Sequence, residues 1–198
     1  MNLTGLEKYI PEQGMQFVER WLEDERFIIK ITRKRKTKLG DYRFLKEKQL
    51  HQISVNFDLQ PEAFFFVLTH EIAHLKVKRN HPSDVKSHGN EWKLTFGKLL
   101  SDSLAVYSDE MKPLIIKHLR NPKASVGADR NLYNKMFACN QDSEMKIENL
   151  ADGQKFRLGK RIFEKGAKRK IRYICREIKT NRLFLINGLA VADETIDE

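Results

Sequence analysis

The spacing of apolar residues divides the chain into a first part with strands and helices and a second part with short strands alone. Residues 12–23 place apolar side chains at helical intervals, which predicts an amphipathic helix. Three β-rich segments follow, at 27–34, 41–44 and 51–57, with a glycine-containing turn between the first two. This order predicts a three-stranded antiparallel sheet.

A strongly apolar segment begins at Pro61, a residue suited to the first turn of a helix. Its apolar side chains occupy most of the helical circumference, as expected for a helix buried inside a domain. Residues 89–100 resume helical spacing, and a further helix is predicted over 108–120. Together with the sheet, these helices predict an α+β domain over residues 1–122.

The apolar density then falls and turn-forming residues accumulate over 121–131, which predicts a linker spanning residues 123–144. Between 146 and 186 short alternating segments are separated by glycines. This pattern predicts a small, separate β unit over residues 145–198.

The buried helix contains two histidines four residues apart, His70 and His74, with Glu71 directly after the first. Positions i and i+4 share one helical face, so both imidazoles can reach a single ion. A catalytic zinc site uses three protein ligands and leaves a fourth position for water. Glu71 is then placed to act as the general base. Three clustered ionisable residues in so apolar a helix would be costly unless they bound a metal, which favours a site over coincidence.

The third ligand must come from the residues that follow, and His81, His88 and Glu91 are the candidates. A metzincin would need glycine at 77 and histidine at 80, where this chain has valine and asparagine, so His81 is predicted to be a loop residue. His88 follows a loop long enough to reverse direction. Spacing favours His88 and leaves Glu91 as the alternative, because a carboxylate in a first turn also complements the helix dipole.

The composition indicates an anionic partner and a reducing environment. The 37 Lys and Arg residues exceed the 27 Asp and Glu residues, for a net charge of +10, and nucleic acid is the leading candidate partner. Only Cys139 and Cys175 are present, so neither a disulfide framework nor a cysteine zinc site is predicted. We expect a soluble cytoplasmic protein with no membrane segment.

Two stretches concentrate the positive charge. Six of the nine residues from Lys30 to Lys38 are basic, which predicts either a phosphate-binding edge or a solvated hairpin. Between 146 and 182 there are 13 basic residues against four acidic ones, with aromatic rings interleaved. The charge favours nucleic-acid contact through this unit, and the period-two spacing of the rings indicates either stacking on single-stranded bases or a core.

These residues resemble the SprT-like zinc metalloproteases, a family that includes the DNA–protein crosslink protease Spartan. HEIAH at 70–74 followed by HGNEW at 88–92 is similar to the HExxH and later His-Gly-x-x-Trp/Phe elements of that family. RKTKLGDYR at 35–43 and HQISVNFDLQPEAF at 51–64 are similar to its upstream segments. The resemblance covers about residues 10–120.

The resemblance implies a minimal zincin fold in which His70, His74 and His88 bind Zn²⁺ and Glu71 is the catalytic base. Many relatives carry a four-cysteine zinc ribbon after the protease domain. Here the corresponding β unit has Cys175 alone, so it is expected to resemble a ribbon held by apolar packing.

The sequence thus predicts a zinc-dependent metalloprotease that cleaves extended polypeptide, with DNA-associated proteins as expected substrates. Two alternatives stay open. One is a nucleic-acid-binding protein whose metal is structural, and the other is a metal hydrolase acting on a small amide. Candidate transition-state donors, namely Tyr42, Tyr107 and Tyr133, require a structure to distinguish them.

Overall fold

A computed structural model describes residues 3–35, 38–81, 85–137 and 145–196, which form an α+β protein with two compact units. The first unit ends at residue 137 and the second comprises the described residues from 145 onward. The elements of the first unit are α1 (Met15–Leu22), β1 (Phe27–Thr32), β2 (Gly40–Leu45), β3 (Leu50–Asn56), α2 (Pro61–Asn80), α3 (Asn90–Asp102), α4 (Lys112–Leu119) and α5 (Arg130–Phe137).

The sheet of the first unit is mixed, so the prediction of an antiparallel sheet was wrong. Its strand order is β1-β3-β2, with β2 antiparallel and β1 parallel to β3. Strands β1 and β3 run in one direction and β2 runs in the other. The sheet would therefore be fully antiparallel only if β2 lay between β1 and β3. Instead β3 is central because its side chains are buried on both faces, including Ile53, Val55 and Asn56, whereas β2 is only partly buried.

Helix α2 is the centre of the first unit. Pro61 occupies its first turn, and the side chains of Phe64, Phe65, Leu68 and Ile72 are fully buried. The helix packs against α3 on one side and against β2 and β3 on the other. Since both sides are covered, the apolar circumference predicted for a buried helix is accounted for.

The first unit continues beyond the predicted boundary at residue 122. Residues 130–137, predicted as linker, form α5, whose Leu132 and Met136 are buried in the same core. Asp129 precedes the helix, accepts a hydrogen bond from the backbone N–H of Leu132 and lies 3.1 Å from Nδ1 of the buried His118 on α4. The four apolar residues of this eight-residue helix, Leu132, Tyr133, Met136 and Phe137, span too few turns for a helical period to be recognised in the sequence. The rest of the predicted linker, 138–144, lies outside the described residues.

The second unit contains the strands β4 (Lys155–Leu158), β5 (Arg161–Arg169), β6 (Arg172–Glu177), β7 (Leu183–Asn187) and β8 (Glu194–Ile196). They form a five-stranded antiparallel sheet with the order β7-β6-β5-β4-β8. One face carries an apolar core that includes Phe156, Phe163, Tyr173 and Cys175. Cys139 lies outside the described residues.

Over the described residues, no helix has both the length and the apolar composition that crossing a membrane would require.

Candidate metal centre

Three histidine rings converge on one point beside α2. His70 and His74 are one turn apart on that helix, and His88 reaches them from the segment just before α3. The Nε2 atom of His88 lies 3.1 Å from that of His74 and 3.3 Å from that of His70. One nitrogen from each of the three rings lies within 4.8 Å of the other two.

The separations fit a tetrahedral ion better than a hydrogen-bonded cluster. Zn–N bonds of about 2.0–2.1 Å at tetrahedral angles place neighbouring nitrogens about 3.3 Å apart. A neutral Nε2 carries at most one proton, so His88 cannot donate a hydrogen bond to both neighbours. The geometry therefore matches three lone pairs directed at a shared cation.

The protonation states also suit metal binding. Burial, together with the neighbouring imidazoles, lowers the pKa of His70 well below its usual value and that of His74 to about 4. Burial also lowers the pKa of His88. All three rings are consequently neutral near pH 7, which is the form that binds a metal ion.

Aromatic rings fix the orientation of the histidines. The Trp92 ring lies 4.6, 5.5 and 4.7 Å, centroid to centroid, from His70, His74 and His88 respectively. The ring of His74 also stacks on Tyr42, with an interplanar angle of 11°, and the Tyr42 hydroxyl lies 2.9 Å from Nδ1 of His51. His74 thus stacks on two aromatic rings, which restricts its rotamers before any ion binds.

Glu71 lies beside this cluster in an unusual environment for a carboxylate. Its side chain is 7% exposed, and it forms no hydrogen bond or ion pair with any residue that the structure describes. Burial, reinforced by the negative charge of Asp41, raises its pKa to about 8, while Arg35 and Lys38 act in the opposite direction. A buried carboxylate with a strongly perturbed pKa is a candidate for proton transfer.

Gly40, which the sequence did not single out, makes room for Glu71. A Cβ atom on Gly40 would lie 2.5 Å from Oε1 of Glu71 and 2.7 Å from Cγ1 of Val67. Gly40 is the first residue of β2, at the edge of the sheet. The start of this edge strand therefore lies directly against the Glu71 carboxylate.

The other candidate ligands are placed elsewhere. Glu91 lies in the first turn of α3 with its carboxylate near Gly89, and it is not part of the three-nitrogen cluster. His81 follows the last residue of α2 and is exposed. The structure thus brings His88 to His70 and His74, and it leaves Glu91 in the position of a helix-dipole partner.

Of the three candidate tyrosines, only Tyr42 adjoins the histidines. The Tyr107 hydroxyl is buried in the core without a hydrogen-bond partner, and Tyr133 packs on Phe137 in α5. The sequence alone could not show which tyrosine lies near the histidines. Tyr42 is brought to His74 by the pairing of β2 with β3, which the sequence pattern does not specify.

The basic stretch from Lys30 to Lys38 is partly structural. Arg35 donates hydrogen bonds to Oδ1 of Asn56, at 2.7 Å, and to Oγ of Ser54, at 3.0 Å. Lys34 and Lys38 form ion pairs with Asp58 and Asp41. Lys36 lies outside the described residues. Three of the six cations are therefore engaged within the fold, which argues against a phosphate-binding edge. The predicted hairpin is also wrong, because β3 lies between β1 and β2 and the stretch joins two strands that do not pair.

Comparisons of this chain with models of known protein families, with curated proteins and with solved structures found no match.

Proposed function

We propose that this protein is a zinc-dependent metallopeptidase of the SprT-like kind, with a zincin-like first unit. The convergence of three neutral imidazole nitrogens beside a buried carboxylate is the observation that carries the proposal. His70, His74 and His88 would hold the ion. When bound, the ion would supply Lewis acidity that makes water nucleophilic near neutral pH.

Glu71 is assigned the proton transfers of peptide hydrolysis. Its carboxylate takes a proton from the attacking water as the water oxygen adds to the peptide carbonyl carbon. It then gives that proton to the amide nitrogen as the C–N bond breaks, releasing an amine and a carboxylic acid, which loses its proton to water to become a carboxylate. A carboxyl group whose pKa lies close to neutrality both accepts and returns a proton at low cost.

The free edge of the sheet supports an extended polypeptide as substrate. Strand β2 pairs with β3 on one side and is the outermost strand on the other. An extended chain could pair with that edge through its backbone. Because Gly40 at the start of β2 adjoins Glu71, such a chain would pass the proposed catalytic base.

We further propose a cytoplasmic setting and substrates that include proteins associated with DNA. The net charge of +10 supports this part of the proposal. The second candidate function, a nucleic-acid-binding protein with a structural metal, is favoured by the same charge.

Metal removal tests the proposed activity. We expect the zinc-loaded protein to cleave an unfolded protein substrate, to lose the activity on exhaustive chelation and to regain it on addition of zinc, since the imidazoles alone activate no water. The measurement is the rate of new amine formation together with metal content. Cleavage that persists in metal-free protein would contradict the proposal, and zinc binding without any cleavage would favour the structural-metal alternative.

The contact between Gly40 and Glu71 leads to a separate prediction. Gly40→Ala would push the Glu71 side chain aside, so peptide hydrolysis should fall by at least about tenfold while metal content stays unchanged. The added methyl should also lower the free energy of unfolding by about 1–3 kcal/mol.

A matched control is Gly97→Ala, whose Cβ would lie 2.9 Å from the backbone oxygen of Leu119, in the contact between α3 and α4. This variant should lose stability in the same way but retain its activity per folded molecule. Equal activities of the two variants would rule out the positioning role of Gly40.

A further inference from the structure

The hairpin that joins β5 to β6 ends in a cluster of exposed cations. Lys168, Arg169, Lys170 and Arg172 are all exposed, with the exposed Ile171 among them. None of these four forms an ion pair with a described residue; Lys168 has only a cation–π contact with the Tyr173 ring at 5.9 Å. Four positive charges thus lie within five residues without compensation.

The cations of the sheet body differ from those of the tip. Arg157 pairs with Glu194 at 2.6 Å, and Arg176 pairs with Glu164 at 2.7 Å. Lys165 points into the core, where its ammonium donates to the backbone oxygen of Leu150. These charges are neutralised or buried. Lys160, Lys179 and Arg182 at the other end of β5 and β6 are also exposed, but the tip has four exposed cations within five residues, the densest group in the described part of the unit.

The turn at the hairpin tip has a position where glycine is preferred but the sequence has a lysine, Lys170. Arg169 pairs with Arg172 across a two-residue turn, and Lys170 in that turn has a φ of +57°. Turns of this kind prefer glycine, asparagine or aspartate at a positive φ. Lys170 therefore occupies a backbone conformation that is unfavourable for a residue with a Cβ atom.

A bulge separates the tip from the body of the sheet. The pairing of β5 with β6 shifts register between Lys165 and Lys168, and a Cβ on Gly166 would lie 2.6 Å from the backbone oxygen of Ile174. Bulges bend a strand and increase its twist. Beyond the bulge β5 pairs with β6, and β6 also pairs with β7, so this end of the sheet has its own direction.

We propose that this hairpin tip binds the phosphate backbone of duplex nucleic acid. A duplex carries one negative charge per about 1.7 Å of its axis, and closely spaced, exposed Lys and Arg side chains bind such phosphates without reading the sequence. Binding to single strands would need exposed rings for stacking, but Phe156, Phe163 and Tyr173 are buried and Phe184 packs against Phe163. The rings that the sequence left open as stacking residues thus belong to the core.

Charge removal at two ends of the sheet tests the proposal in the full chain. The tip variant combines Arg169→Ser, Lys170→Gly and Arg172→Ser, and the glycine also relieves the turn. The control combines Lys160→Ser, Lys179→Ser and Arg182→Ser, three exposed cations at the opposite ends of β5 and β6. Both variants lose three positive charges.

We expect the tip variant to bind a short DNA duplex more than tenfold more weakly than the wild type at low salt. The plot of log K against log salt concentration should become shallower, its negative slope decreasing in magnitude by about 2–3. The reason is that each lost phosphate contact removes the release of about 0.9 counterions. The control should keep most of the affinity and the slope. Equal losses in both variants, tighter binding to single strands, or the same affinity for polyglutamate would each overturn the proposal.

A second measurement needs no variant. In the wild-type protein, duplex DNA should protect Lys168 and Lys170 from chemical acetylation and leave Lys160 and Lys179 reactive. Uniform protection, or protection of the latter pair alone, would also overturn the proposal. Neither measurement uses cleavage, so failure here is distinguishable from failure of the proposed peptidase.

Discussion

Replacing Glu71 with glutamine should slow peptide hydrolysis by roughly 10²- to 10⁴-fold and leave the bound metal in place. Glutamine has nearly the same shape as glutamate, so it fits the space that Gly40 leaves open beside α2. Its amide cannot accept the proton of the attacking water. General base catalysis contributes roughly 10²- to 10⁴-fold, and we expect kcat to fall by that factor.

The measurement pairs the cleavage rate with zinc content per chain. Zinc should remain near one equivalent per chain, because the three converging ligand atoms belong to histidines and Glu71 supplies none of them. Glu91→Gln is the matched control, as the same chemical change made in the first turn of α3. A Glu71→Gln protein that holds zinc and cleaves at the wild-type rate would refute the assigned role.

His88→Ala should have the second large effect, on metal binding itself. Removing this ring leaves His70 and His74 as the only two imidazoles of the cluster, and catalytic zinc sites use three protein ligands. Changes in residues that merely support a ligand cost about 10- to 100-fold in affinity, so loss of a ligand should cost more than about 100-fold. Equilibrium dialysis or competition with a chelating dye measures this directly.

Two controls separate the candidates for the third ligand. Glu91→Gln and His81→Ala should both bind zinc like the wild type, because neither residue belongs to the cluster. His88 is only partly buried at the end of a loop, so its removal should leave the fold intact. Zinc affinity equal to that of the wild type in His88→Ala, or weaker zinc binding in Glu91→Gln, would show that the third ligand is the Glu91 carboxylate and not His88.

The local sequence pattern was sufficient to predict the helix that carries two of the three histidines. Pro61 and the apolar circumference predicted α2, and the four-residue spacing of His70 and His74 predicted that their rings share a face. The α+β class followed from the same patterns. For the third ligand, spacing alone left Glu91 open, because the path of a loop is not encoded in residue intervals.

The remaining features depend on contacts between distant segments. The direction of β1 relative to β3 follows from which strand is central, and this is set by burial on both faces of β3. Similarly, Gly40 adjoins Glu71 because β2 packs on α2, a contact with no local signal. In the second unit, alternation could not tell stacking rings from core rings until the buried face was known.

Trp92 gives the proposed centre a built-in optical probe. The chain contains two tryptophans, and the other, Trp21, packs against Phe17 and Phe65. Trp92 is fully buried with its ring in contact range of all three imidazoles, so an ion bound there would share its immediate surroundings. With Trp21 replaced by phenylalanine, the indole emission of the protein would come from the wall of the centre alone, and occupancy could be followed without any attached dye.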